Sequence, residues 1–449
     1  MRSGPHADAC HLWANPKHWA VPMKLSLGCL ACGLLLVGTI PCTAAEPSPY
    51  WPRFRGPNGS GIGEAPSVPS GWDETAYVWK VAVPGEGHSS PVVWGRYLFL
   101  TSAVDGGRVR LVLAYDALNG EPLWQRRLPL PTAPKHRKNS HATATPATDG
   151  KRVFVAFSSR DDYVLTALDF QGRVLWERDL GPWVGQHGSG ASPIVCDDTV
   201  ILANHQDGTS FVVACDVETG AVRWKAPCKG GDQSASYSTP LLYRPCRGTP
   251  QLILLSRANG LYALDPATGR RLWQSAPFPF RTVASPVLMG ELVLGTSGSG
   301  GQGRYLAVYR IPEQGSSFEN RPLWTARRRI PYVPTPIYYD GLLFLWNDQG
   351  IVSCVDPRNG RHLWVQRVTG ADGRPTVYSS SPVCVSGRLL CVSERGDVAI
   401  VAADRTFKLL GRARLGERVM ATPAIAHGRL YIRSERHLYC VGGNRLSRR

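Results

Sequence analysis

Ser238-Thr239-Pro240-Leu241-Leu242-Tyr243, Gln251-Leu252-Ile253-Leu254-Leu255, Gly260-Leu261-Tyr262-Ala263-Leu264-Asp265 and Arg271-Leu272-Trp273-Gln274 follow one another as four short apolar runs. Gly, Asn, Asp and Pro separate them. These residues supply a positive φ, a preset φ or a side chain that bonds its own backbone, so each run reads as a strand closed by a tight turn. The unit then recurs. A Ser-Pro or Thr-Pro pair opens a comparable run at Pro91, Pro146, Pro193, Pro240, Pro286, Pro336, Pro382 and Pro423, at intervals of 41 to 55 residues. A period of this size marks a repeat architecture whose units cannot bury their apolar faces alone.

The turn between the third and fourth runs has its own signature: Asp116…Gly120…Trp124, Asp216…Gly220…Trp224, Asp265…Gly269…Trp273 and Asp356…Gly360…Trp364, with Asp169…Gly172…Trp176 one residue shorter. Asp can accept backbone N–H bonds, Gly supplies the left-handed residue, and Trp fills the gap between neighbouring units. The indoles are therefore read as structural. Two repeats depart from the pattern. In the fifth, Arg310 replaces the Asp and an insertion around Glu313 to Asn320 delays the Trp to Trp324; in the seventh, Asp404…Gly411 carries no Trp.

The eighth repeat ends at Leu438-Tyr439-Cys440-Val441 without a fourth run, while Tyr77-Val78-Trp79-Lys80-Val81-Ala82-Val83 stands alone before the first Ser-Pro. Pairing the two closes a ring and hides the edge strands that an open array would expose. The expected fold is all-β, an eight-bladed β-propeller of four-stranded blades. Its expected organisation is an upstream segment with a secretory signal over 1–45, a lead-in over 46–76, the propeller over 77–443 and a basic tail over 444–449.

The unit from Ala263 to Trp273 resembles the pyrroloquinoline-quinone-type propeller repeat, and the resemblance spans roughly residues 75 to 443. It implies the fold more than an activity. That family holds both quinone-dependent alcohol dehydrogenases and the noncatalytic propeller subunit of the outer-membrane barrel assembly machinery. Trp51-Pro52-x-Phe54-Arg55-Gly56-Pro57-x-Gly59 is also similar to the lead-in of exported propellers of unassigned function.

Met23-Lys24, the apolar run Leu25 to Ile40 and the small-residue end Thr43-Ala44-Ala45 read as a secretory signal cleaved after Ala45. A retained anchor is the alternative. Cys42 follows Thr39-Ile40-Pro41, a poor lipobox, and Cys29-x-x-Cys32 lies inside the signal. Eight Cys remain, of which Cys215, Cys354 and Cys440 fall in strands where other repeats carry Ala or Leu. Only Cys228 and Cys246 sit where a disulfide could join adjacent repeats. The formal charge is +17, a field that favours anionic partners such as acidic polymers or acidic protein surfaces. Export and the lack of a binding signature argue against nucleic acid, and the chain is read as a monomer.

In this strand order the loops before each Ser/Thr-Pro pair lie on one face beside the axis. They carry the candidate ligand residues His88, His141, His187 and Tyr237, together with Lys135 and Arg137 in the most basic loop; Tyr332 and Tyr378 lie in equivalent loops. Three imidazoles could in principle gather a transition metal or an anion, but no short-spaced ligand motif supports a metal, so no metal or catalytic residue is assigned. Gly298-x-Gly300-x-x-Gly303 joins two strands and lacks the helix start that would hold a pyrophosphate. The favoured function is a noncatalytic exported scaffold that binds protein or anionic polymer, with envelope assembly as the leading specific guess. The alternative is a dehydrogenase using the quinone and calcium; the chain has no Cys-Cys pair and no assignable calcium carboxylate set.

Overall fold

The computed structural model describes residues 47–231, 235–301 and 303–442, so the expected signal and basic tail lie outside the described residues. Eight sheets follow one another around a central axis. Blade 1 runs outward through Val92–Trp94, Tyr97–Val104, Val109–Asp116 and Pro122–Pro129. Every Ser/Thr-Pro pair immediately precedes a short inner strand, as at Ile194–Cys196, Ile337–Tyr339 and Val383–Val385. Blade 8 takes its outer strand from the other end of the chain: Tyr77–Ala82 pairs antiparallel with His437–Val441, with Trp79 opposite Cys440. Among the described residues no helix is long and apolar enough to cross a membrane.

The seams between blades are the core. Phe154, Leu165, Val200 and Val213 of blades 2 and 3 form one buried cluster, and Ile253, Leu255, Val293 and Ala307 of blades 4 and 5 another. A single sheet has no partner for its apolar face, so burial at about 25 cal/mol per Å² is gained only when a neighbour stacks on it. Outer strands meet the core on one side only, and Val174–Asp179 accordingly alternates half-buried with exposed residues.

The outer-strand tryptophans join each blade to the next. The indole N–H donates to a carbonyl just past the neighbouring blade's third strand: Trp79 to Ala117 at 3.2 Å, Trp124 to Phe170 at 2.7 Å, Trp176 to Val217 at 3.1 Å, Trp224 to Pro266 at 2.9 Å, Trp324 to Pro357 at 2.8 Å and Trp364 to Asp404 at 3.0 Å. The neighbour's turn glycine lies flat on the ring; Gly220, at φ 68°, would drive a Cβ to 2.6 Å from the Trp176 indole. Trp273 is the exception, donating to Gln251 Oε1 of its own blade at 2.6 Å. The next blade has Arg310 where the turn Asp belongs.

Seven of the eight Ser/Thr residues before the prolines have a matching duty on the inside. The backbone N–H of each donates to the hydroxyl of the corresponding residue one blade on: Ser90 to Thr145, Thr145 to Ser192, Thr239 to Ser285, Ser285 to Thr335, Thr335 to Ser381, Ser381 to Thr422 and Thr422 to Ser90, all at 2.9 to 3.0 Å. Proline cannot donate, so the residue before it makes the seam bond. Thr335→Ala should leave the buried Ser285 N–H unpaired and lower stability by about 1–3 kcal/mol, whereas Thr335→Ser should recover most of it. Thermal melts of the two variants beside the parent check this; equal losses would show that the hydroxyl is not what matters.

The lead-in is part of the ring. Tyr50–Trp51 pairs antiparallel with the inner strand of blade 1, and Ile62–Gly63 pairs parallel with that of blade 7. Between them the chain spans the axis. Arg53 donates to the Pro240 carbonyl of blade 4, and Arg55 donates to Pro336 of blade 6 at 3.0 Å and Pro382 of blade 7 at 2.8 Å. Asn58 brackets Leu242, accepting from its N–H at 2.8 Å and donating to its carbonyl at 2.6 Å, as a strand backbone would. Inner strands are sheet edges with unpaired backbone groups, and this strap satisfies several of them.

From the axis the lead-in runs outward over blades 7 and 8. Arg388 donates to Ala65 and Val68, and Ser67 donates to Gly428. The backbone of Ser70 and Gly71 then lies against Gly411. Gly411 faces Ile400 across a bulge, the register position that Trp224 holds opposite Ala214 and Trp364 holds opposite Cys354. The seventh blade's missing Trp is therefore a space filled by crossing backbone, with Trp72 bridging to Ala413 beside it.

Candidate functional site

The loops that lead into the inner strands form one face of the ring, here the proline face; the strap occupies the opposite side. Arg110 and Arg433 anchor the proline face from below. Each is 1% exposed or less. Arg110 donates to the carbonyls of Pro131 at 3.2 Å and Ser158 at 2.9 Å, fixing the start of the basic loop that joins blades 1 and 2. Arg433 donates to Thr101 O at 2.5 Å and Ser89 Oγ at 2.8 Å. Its guanidinium fills the space beside Gly87, where any Cβ would collide with it. Burial lowers both guanidiniums to about 10, still charged at neutral pH.

The basic loop reaches in two directions. His136 stacks on His187 of the blade 2–3 loop at 5.0 Å between ring centroids, and its backbone N–H donates to the His187 carbonyl at 3.2 Å. Lys138 pairs with Glu394 of blade 7 at 2.8 Å, which Ser379 also engages at 2.6 Å. Asn139 holds the loop's centre by donating to the carbonyls of His187 at 2.7 Å and Ser189 at 3.1 Å, and Lys135 donates to Asn139 O at 3.0 Å.

A cavity of about 210 Å³ opens where this loop faces the ring-closure seam. Lys135, Arg137, Arg418 and Arg433 line it, with His88 and the two acidic side chains Glu86 and Glu435. His88 is pushed down to about 3, chiefly by burial and then by Arg433, Arg418 and Lys135. It is a neutral imidazole among cations.

The remaining candidates occupy different surroundings. His141 packs against Gly107 and is lowered to about 4 by burial, Arg110 and Lys135. His187 lies 3.4 Å from Arg281, and burial and that guanidinium lower its pKa. Tyr237, beside Gly190, has a buried hydroxyl without a hydrogen-bond partner. His88, His141 and His187 thus sit at three separate positions on the proline face, and among the described residues no three His, Cys, Asp or Glu side chains form a metal-ligating group. Tyr378 is fully buried against Trp346 and does not reach the face. Cys228 contacts the Tyr262 hydroxyl at 3.4 Å, and no disulfide joins the eight described cysteines. Reading by sequence overlooked Arg418 and Arg433: Arg418 sits in the loop before Thr422-Pro423, which the topology already placed on this face, and the signal for Arg433 was an Arg closing the strand Arg429–Arg433.

The family model described as "Outer membrane protein assembly factor BamB", built on the quinone-type repeat, matches residues 71–180, 160–332 and 348–445. The chain belongs to this BamB-type repeat family. Within the family, a curated BamB of Xanthomonas campestris is 28% identical over 210 residues, 46% of this chain and 50% of the relative, so the match spans half that relative's length. The Yersinia pestis BamB is 23% identical over 309 residues, covering 64% of this chain and 70% of the relative. The crystal structure of BamB from Moraxella catarrhalis overlays with a TM-score of 0.58 at 16% identity, covering 83% of this chain and 99% of that one. Quinohemoprotein alcohol dehydrogenase from Comamonas testosteroni overlays with a TM-score of 0.63 at 13% identity, covering 89% of this chain and 82% of that one. At such identities both overlays speak for the fold alone.

Proposed function

We propose that this chain is a noncatalytic, exported β-propeller scaffold in outer-membrane protein assembly, a monomer that holds protein partners on its proline face. The observation that carries this reading is the BamB-type repeat match running through nearly all of the propeller. The basic loop supports the choice of face: Arg137 and Lys138 are exposed there, on a chain of net charge +17, and would draw acidic protein surfaces by long-range attraction. An acidic polymer would be attracted by the same field.

The test is crosslinking in intact cells from a photoreactive residue at position 137, beside a control at Leu175 on an exposed outer strand. Envelope assembly proteins should be captured from 137 and not from 175. Capture of extracellular polymer alone from 137 would overturn the reading. The dehydrogenase alternative draws no observation of its own: its overlay speaks for the shared fold, and among the described residues no acidic set gathers of the kind that a calcium-bound quinone would need.

A further inference from the structure

The cavity at the ring-closure seam has more positive charge than its own contacts use. Arg433 is 1% exposed, and it donates to carbonyl and hydroxyl oxygens of Ser89, Thr101 and Ser102; its Nε is buried with no hydrogen-bond partner. A buried guanidinium without a carboxylate is an uncompensated charge, a costly arrangement unless something else neutralises it. The neighbouring acids are engaged elsewhere or point to solvent. Glu417 is taken by Ser434 at 2.6 Å and His437 at 2.5 Å, Glu394 by Lys138 and Ser379, and the lining residues Glu86 and Glu435 are exposed. Arg418 has no ion pair among the described residues, and Lys135 spends one donor on a carbonyl.

We infer that this cavity is a binding site for an oxyanion group, carboxylate or phosphate, held by Arg418 and Lys135 at its rim and by the field of buried Arg433 from beneath. Guanidinium and ammonium donors converge there beside the His88 imidazole, the donor set that such groups take with charge-assisted bonds. The volume of about 210 Å³ admits one such group and a short stem, not a folded domain. Because blades 8 and 1 and the blade 1–2 loop all contribute, the site exists only in the closed ring. The neutrality of His88 matters to selectivity: an imidazole that stays uncharged can accept as well as donate, so a protonated acid or a hydroxyl beside the anionic group would also find a partner.

The site is tested on the purified protein alone, so its failure leaves the assembly reading untouched. Calorimetric titration at low ionic strength with inorganic phosphate in one arm and with tricarballylate, a small tricarboxylate, in the other should show saturable binding of at least one, with a Kd of about 1 mM or tighter. The ratio of the two affinities separates a phosphate from a carboxylate source. Arg418→Ala combined with Lys135→Ala should weaken binding at least ~10-fold, because two charge-assisted contacts are lost. Arg358→Ala, on an exposed turn far along the chain, serves as the surface-charge control and should leave binding unchanged. Absence of saturable binding in both arms, or equal weakening by the Arg358 control, would overturn the inference. Circular dichroism of each variant confirms folding, and neither rim residue lies in the core.

Discussion

Gly411→Trp, the substitution that restores the repeat pattern in the seventh blade, is expected to destabilise the protein by about 3 kcal/mol or more. Pattern alone says the opposite. The other seven blades carry an indole at this register position, and each indole N–H is hydrogen-bonded. At 411, however, even a single Cβ would sit inside the van der Waals surface of the Ser70 carbonyl oxygen. A backbone carbonyl cannot swing aside as a side chain can, so the lead-in between Val68 and Trp72 must lift off blade 7. Trp72 is part of the large cluster that joins blades 7, 8 and 1 to the lead-in, and its displacement would add a cavity to the clash. Gly411→Ala should already lower the melting temperature, and limited proteolysis of Gly411→Trp should cut between 64 and 76 where the parent resists. A Trp variant as stable as the parent would mean that the strap does not pack on blade 7.

Acid should weaken the fold well before the carboxylates titrate. His205 is buried beneath blade 4 with Nε2 at 2.6 Å from the Tyr262 hydroxyl, and burial, followed by Arg271, lowers it to about 3; His88 falls to a similar value. A histidine whose native pKa lies below its unfolded value of 6.5 favours the native state only while both states stay neutral. Below pH 6.5 the unfolded chain takes up protons that the native chain refuses, so stability drains away from there down to about pH 3. At pH 5.5 each such histidine has forfeited about 1.4 kcal/mol, and the pair about 3 kcal/mol. Denaturation midpoints followed from pH 7.5 to 5 should fall along that curve. His205→Phe should start lower, since it leaves the Tyr262 hydroxyl only the Cys228 thiol, but should show a slope shallower by about a third, because His88 and His141, which burial also lowers, still titrate. An unchanged slope in that variant would assign the acid sensitivity to other groups.

The blades and their closure could be read from sequence because they repeat. Proline before each inner strand, Asp-Gly turns and the Trp spacing each recur, so a single weak signal is heard many times over. What repeats also hides what does not. The strap from Trp51 to Gly63 occurs once, makes its bonds through Arg53, Arg55 and Asn58 to residues 184 to 327 positions away, and has no periodicity to betray it. In the seventh blade the backbone of Ser70 takes the place of the Trp, a substitution that the repeat pattern cannot show. The candidate site was legible in part for the same reason. The topology located the right loops, and Lys135, Arg137 and His88 do line a cavity. Yet similar places in successive blades are separated by the rotation of the ring, so His141 and His187 serve other neighbours. Arg418 and Arg433 come from the far end of the chain and meet His88 only after the ring has closed.

The strap also acts as a gauge of blade number. Arg53 and Arg55 are two residues apart, and between them they reach carbonyls on blades 4, 6 and 7 while the flanking strands hold blades 1 and 7. Only a bore of one diameter lets so short a segment touch all of these at once. Seven units would crowd it, and nine would leave the guanidiniums short. The lead-in is then among the last segments to find its place, since Tyr77–Ala82 must wait for His437–Val441 and the strap for a finished circle. Until then the growing chain carries an unpaired strand at each end. Its stability as a whole is decided by an inspection that its own beginning performs on its end.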